Sequence, residues 1–189
     1  MRPKKTSERD LMLALTDLFQ EQGFEGATLS MIAEATGLKR ASLYHRFPGG
    51  KTDMALAVMD FTQTEFDRVL SPLHGSGPVK ERIRDTARNI EEYYEGGIRS
   101  CVIESLSVGT QPEGRNMIAE RIALILEGLI ESFAKVAREA GASPEEARLL
   151  GEDAVVRFEG SLVVARGTGN ANAFKRWLRD LPELLAGND

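Results

Sequence analysis

Apolar residues along this chain recur at three- and four-residue spacing almost from end to end. That is the pattern of helices that bury one face. Leu11, Leu15, Leu18 and Phe19 fall on one side of a first helix, with Met12 beside them. Ser7 and Asp10 make a capping box at its start, and Gly23 ends it. Thr28 suits the N-cap of a short second helix reaching Ala35, which Gly37 then breaks. A third helix is predicted from about Arg40 to Phe47, stopped by Pro48-Gly49-Gly50. A fourth begins near Lys51 and runs to about Leu70, carrying Met54, Leu56, Val58, Phe61 and Phe66.

Gly75-Ser76-Gly77-Pro78 is a breaker, with Pro78 suited to the first position of a fifth helix. Val79, Ile83, Ala87, Ile90 and Tyr94 repeat along that helix, and Gly96-Gly97 closes it. Residues 98–108 read as a short apolar helix, and Gln111-Pro112-Glu113-Gly114 as a loop. A long helix over about 115–140 follows, with Ile118, Ile122, Ile125, Leu129, Phe133 and Val136 on one face and Gly141 as its cap. Ser143-Pro144-Glu145-Glu146 is a full start signal for an eighth helix to about Arg166. A Gly/Asn-rich loop at 167–172 leads to a ninth with Phe174, Trp177, Leu178 and Leu181, which Pro182 bends or ends. No alternating strand pattern, repeat or low-complexity segment interrupts this order. The expected fold is all-α, with about nine helices and short connections.

Charge changes the picture by its placement. The net charge is -5, which by itself argues against a nucleic-acid partner. Residues 1–51, however, carry eight Lys/Arg against six Asp/Glu, a surplus of two positive charges. The remainder therefore carries seven net negative charges. The cations cluster at Arg2/Lys4/Lys5 and at Lys39/Arg40/Arg46/Lys51, giving a locally basic head on an acidic body.

Chemistry beyond binding finds little support. Cys101 is the single cysteine, so no internal disulfide or cysteine metal cluster can form, and a reducing cytoplasm is the expected compartment. Cys101 reads as a small buried hydrophobe. The basic start Met-Arg-Pro-Lys-Lys lacks the apolar run of a signal peptide, and no apolar run is long enough for a membrane span. His45 and His74 are the two imidazoles available as bases. No nucleophile elbow, zinc-protease, P-loop or Rossmann pattern occurs. We expect no enzyme activity, cofactor or metal.

The informative segment is residues 28–47, TLSMIAEATGLKRASLYHRF. Two short helices crossing over a tight turn need a small residue at the closest approach, and Ala33 supplies it. The turn needs a residue at ease with positive φ, and Gly37 supplies that. Leu43 can anchor the second helix on a small core of Leu29, Ile32 and Leu38. Its other face then shows Lys39, Arg40, Ser42, Tyr44, His45 and Arg46, which suit a major groove with phosphates on either side. The alternatives are a merely solvated helix face, or a helical adaptor using the motif for protein contacts.

Thr28, Ile32-Ala33, Gly37, Leu43-Tyr44, Phe47 and the following Lys51 resemble the helix-turn-helix of the TetR family over about the first 60 residues. Two features depart from that pattern. Lys39 stands where a capping Ser or Thr is usual, which forgoes about 1 kcal/mol. The loop Phe47-Pro48-Gly49-Gly50-Lys51 is one residue longer than the common form. This loop, Cys101–Gly109 and the Glu159-Gly160 region resemble the branch that includes lincomycin- and flavonoid-responsive repressors.

The resemblance implies a helix-turn-helix DNA-binding domain at 1–50 and an effector-binding and dimerisation domain at 51–189. It implies DNA contacts from Thr28, Lys39, Arg40, Ser42, Tyr44, His45 and Lys51, with Arg40 and Ser42 reading bases and Thr28 and Lys51 meeting phosphate. Arg2, Lys4 and Lys5 would form an accessory arm. It implies a homodimer built from the last two long helices, with Gly151, Val155, Phe158, Leu162, Phe174, Trp177 and Leu181 at the interface. It implies a pocket for a small lipophilic or aromatic ligand among Phe61, Tyr94, Cys101, Glu104, Ser105, Met117, Phe133 and Arg157. The expected function is a repressor released from operator DNA by that ligand.

Overall fold

A computed structural model describes residues 7–107 and 112–187, with residues 112–116 described through their backbone. The Arg2/Lys4/Lys5 arm and Val108, Gly109 and Gln111 lie outside the described residues. Among those residues the regular structure is helical throughout: α1 (Glu8–Gly26), α2 (Leu29–Thr36), α3 (Arg40–Arg46), α4 (Lys51–Val69), α5 (Val79–Tyr93), α6 (Val102–Ser107), α7 (Pro112–Glu139), α8 (Pro144–Thr168) and α9 (Asn172–Ala186). Short 3₁₀ turns occupy Ser71–His74 and Glu95–Gly97.

The helix starts follow the capping chemistry. Ser7 Oγ accepts the Asp10 N–H at 3.1 Å, Thr28 Oγ1 accepts that of Met31 at 3.3 Å, and Ser143 Oγ accepts that of Glu146 at 3.3 Å. Each satisfies an N–H that the first helical turn leaves without a backbone partner. Lys39 caps α3 without a side-chain hydrogen bond, as its side chain dictates.

Five boundaries differ from the spacing-based expectation; Pro78, expected at the first position of α5, stands at its N-cap. Gly23 does break the first helix (φ 66°), but one further helical turn reaches Gly26. The segment after the fifth helix enters a 3₁₀ turn and becomes α-helical at Val102. Pro112, read as loop, starts α7, because a missing N–H costs nothing in the first turn. Helix α9 passes through Pro182 and continues to Ala186. Burial of Leu181 and Leu185 offsets the proline's cost of about 3 kcal/mol.

The chain packs as two units. The first takes the described residues up to Thr64 together with those of Val102–Ile122. Its core holds Leu11, Leu15, Phe19, Ile32, Leu43, Met54 and Val58, all fully buried. Helix α6 packs on α1, where Ser105 Oγ donates to the Gln20 carbonyl oxygen at 3.3 Å. Arg121 of α7 pairs with Asp60 of α4 at 2.7 Å and donates to Gln63.

The second unit takes Glu65–Cys101 and the residues from Ala123 onward. Small residues Ala134, Ala137 and Ala147 form a seam between α7 and α8. Arg82 of α5 is nearly buried and joins the Gly75 carbonyl oxygen (2.7 Å) to Glu139 of α7. Rings of Phe66, Tyr93, Tyr94, Phe158, Phe174 and Trp177 pack edge-on and stacked, with centroids 4.9–6.5 Å apart. Trp177 Nε1 donates to the Ala154 carbonyl oxygen at 3.1 Å, tying α9 to α8.

Candidate nucleic-acid interface

The helix-turn-helix assembles as its residue types require. Gly37 closes α2 in the left-handed region (φ 67°, ψ 12°), which lets the chain reverse within three residues. Leu43 points into the core at 0% exposure, packing in the same core as fully buried Ile32. Seven residues are too few for a helix stable on its own, so this burial is what holds α3 in place. The face opposite Leu43 stays open: Lys39, Arg40, Ser42, Tyr44, His45 and Arg46 are all exposed. Tyr44 keeps 47% of its surface, leaving its phenol open to solvent.

Two shallow concavities flank α3. One is lined by Leu29, Tyr44, Pro48, Gly49, Gly50 and Lys51. The other is lined by Leu38, Ala41, Ser42, His45 and Arg46. The first gathers a phenol, an ammonium and the start of the 19-residue α4, whose first N–H groups favour an anion. Lys51 Nζ lies 4.5 Å from the centroid of the Phe24 ring and 3.5 Å from the Glu25 carbonyl oxygen. The ammonium is thus steered toward the rim of α1. Gly50 follows Phe47 in a turn with φ 68°, and Asp53 accepts the Gly49 N–H at 2.6 Å. These contacts fix the longer loop.

The structure brings Thr28, Lys39, Arg40, Ser42, Tyr44, His45 and Lys51 together on α2, α3 and the start of α4, with all but half-buried Lys51 exposed. Sequence reasoning missed three partners on this surface. Ser30 accepts from Arg40 Nη2 at 2.6 Å. Glu8 pairs with Arg46 at 2.5 Å, tying α1 to α3. Phe24 carries the Lys51 ammonium. None of these pairs shares a helix, so helical periodicity carries no signal for them.

The residues expected at a subunit interface are largely packed inside the single chain. Val155, Phe158, Leu162, Phe174, Trp177 and Leu181 are buried within the single chain, most of them around the aromatic cluster. Gly151 faces α7: a β-carbon there would stand 2.5 Å from the Ile130 carbonyl oxygen. Helix α8 is apolar on more than one side. Its outward residues are Leu149 (60% exposed), Val156 (69%), Val163 and Val164.

The expected pocket residues divide between the units. Half-buried Phe61 meets the Arg9 guanidinium at 5.9 Å, Glu104 and Ser105 lie on α6, and Met117 is exposed, all in the first unit. In the second, Phe133 is fully buried core and Arg157 is exposed and paired with Asp153 on its own helix at 2.7 Å. Met117 and Arg157 thus face solvent in the single chain. Tyr94 and Cys101 are both buried and adjacent. Burial above all holds the Tyr94 phenol well above its ordinary value near 10, and Cys101 and Glu159 act in the same direction. Tyr93 is raised as well, because its burial outweighs the lowering by the Arg99 guanidinium beside it.

Among the described residues no group of His, Cys, Asp and Glu could hold a metal ion, and no helix is long and apolar enough to cross a membrane.

Comparison with known proteins places this geometry in context. Residues 11–58 match the family model of bacterial regulatory proteins, tetR family. The chain is 24% identical to the HTH-type transcriptional regulator LmrA of Bacillus subtilis (strain 168), over 95% of this chain and 96% of that protein. A TetR transcriptional regulator from Legionella pneumophila superimposes with a TM-score of 0.83 at 23% identity, covering 98% of this chain and 100% of that one. A cysteine mutant of the TetR-family regulator CifR, complexed with 26-base-pair operator DNA, superimposes with a TM-score of 0.75 at 20% identity, over 97% and 98% of the two chains. The fold is TetR-like with an N-terminal helix-turn-helix, and residues 11–58 carry the similarity to the tetR family.

Proposed function

With that similarity as premise, we propose that this chain is a sequence-specific DNA-binding regulator that acts as a repressor. The observation that carries the reading is the exposed, donor-rich face of α3, seated on buried Leu43 and flanked by two concavities. A helix of this width enters the major groove. Arg40 and Ser42 stand on its first half, where base edges are met. Tyr44, His45, Lys39, Thr28 and Lys51 stand where the flanking phosphates run. Residues 1–50, joined by Lys51 at the start of α4, carry the contact, and residues 51–189 carry effector binding and dimerisation.

The working form is a homodimer in the cytoplasm. One helix-turn-helix covers few base pairs, and two heads about 34–36 Å apart read successive turns of one duplex face. Leu149, Val156 and Val163 recur every seven residues on the exposed side of α8, which supports a second copy of the same helix as the covering surface. A lipophilic or aromatic ligand relieves repression by binding the DNA-incompetent state more tightly, since equal affinity for both states shifts nothing. The buried Tyr94 and Cys101 at the edge of the aromatic cluster supply a suitable wall for such a ligand.

The test is a titration of the full chain with the duplex upstream of its own gene, across a range of salt. Affinity should fall steeply with salt and collapse in a Tyr44→Ala/His45→Ala variant. Binding to that duplex that ignores both salt and these substitutions would overturn the reading.

A further inference from the structure

We propose that Ser30 is a positioning residue that aims the Arg40 guanidinium at its base, so that the specificity element is a pair shared by two helices. This rests on the DNA-binding reading above. Arg40 is the first residue of α3, and its cap Lys39 gives that turn no side-chain hydrogen bond. As the first residue of α3, Arg40 has no preceding helical turn of its own helix for its long side chain to lie against. The constraint comes from α2: Arg40 Nη2 donates to Ser30 Oγ at 2.6 Å across ten residues of sequence. Ser30 is itself placed by the α2 start, two residues after the Thr28 cap.

The chemistry suits alignment. A guanidinium presents five N–H donors in a rigid plane. One N–H given to Ser30 restricts the swing of that plane, and the donors on its other edge remain for two acceptors side by side. The paired O6 and N7 of guanine in the major groove are such acceptors. Both side chains are exposed, so the pair stands on the surface a duplex would meet. The serine hydroxyl accepts from Arg40 and keeps its own O–H to donate. Arg40 therefore arrives with its rotamer already chosen, and less ordering is left to the moment of binding.

The experiment selects preferred duplexes for the full chain from a random-sequence DNA library. It then measures affinities for the selected site and for each single-base variant, using the unaltered chain, S30A, S30T, R40A and the S30A/R40A double variant. The expected result is that S30A loses about three- to tenfold in discrimination at one base pair per half-site. Its melting temperature should stay unchanged, and S30T should restore most of the loss. R40A should abolish preference at that same base pair. In the R40A background, S30A should have no further effect, because Ser30 acts through Arg40.

Selective binding with S30A indistinguishable from the unaltered chain would overturn the positioning role and leave the DNA reading intact. So would an S30A effect of the same size in the R40A background, which would make Ser30 an independent contact. Failure of the unaltered chain to enrich any sequence would overturn the DNA reading itself, and the pair's role with it.

Discussion

Gly151 of α8 lies against the Ile130 carbonyl oxygen of α7 so closely that a β-carbon would stand 2.5 Å from that oxygen and 3.1 Å from the Ala134 nitrogen. These are backbone atoms and cannot swing aside. With Ala134, Ala137 and Ala147 they define a seam where two long helices run nearly in backbone contact. Gly151→Ala should therefore force α7 and α8 apart and cost about 1–3 kcal/mol. Thermal unfolding would register this as a fall of several degrees. An unchanged midpoint would mean that the seam has room to spare.

The outward side of the same helix makes a separate prediction. Val156 is exposed, so Val156→Asp should change the stability of the single chain by no more than about 0.5 kcal/mol. If α8 covers α8 in a homodimer, a carboxylate placed at its middle should dissociate the pair. Sedimentation equilibrium should then show half the mass of the unaltered protein, and operator affinity should drop with it. A variant that sediments at the unaltered mass would put the interface elsewhere.

These two faces also show where the sequence stopped being informative. The helix starts were readable because Ser7, Thr28 and Ser143 cap through their own side chains, a local interaction. The turn at Gly37 and the anchor at Leu43 were readable for a similar reason: few residue types can fill either place. Helix α8 offered no such choice. Buried Ala154, Phe158 and Leu162 and exposed Leu149, Val156 and Val163 are equally apolar, so periodicity could not say which side meets a neighbour. The Arg40–Ser30 and Arg46–Glu8 pairs were hidden because they depend on the angle between helices.

Lys51→Gln should weaken binding to every duplex by a similar factor, specific or not. The slope of log affinity against log salt should fall by about one, the signature of one phosphate contact. Base preference should not change. An unaltered slope would show that Lys51 meets no phosphate.

Stability should respond to alkaline pH through Tyr94. Its folded pKa is raised above the ordinary value near 10, so folding holds a proton that the unfolded chain gives up first. The stabilisation is complete below about pH 10 and is lost as pH climbs above it. Melting temperatures taken between about pH 8 and about pH 11 should fall at the upper end. Tyr94→Phe keeps the ring and removes the titration, so its decline should be shallower. Parallel declines in the two proteins would assign the alkaline loss to other groups, Tyr93 first among them.

The Lys51 ammonium is leashed at its far end, to a ring and a carbonyl oxygen of α1, while its backbone starts α4. A cation held from two sides works as a gauge of the angle between those helices. Should α4 tilt, the tether must stretch or let go, and the charge moves off the spot where a duplex strand would find it. If Lys51 meets phosphate, grip on DNA and helix inclination would be coupled through a single side chain.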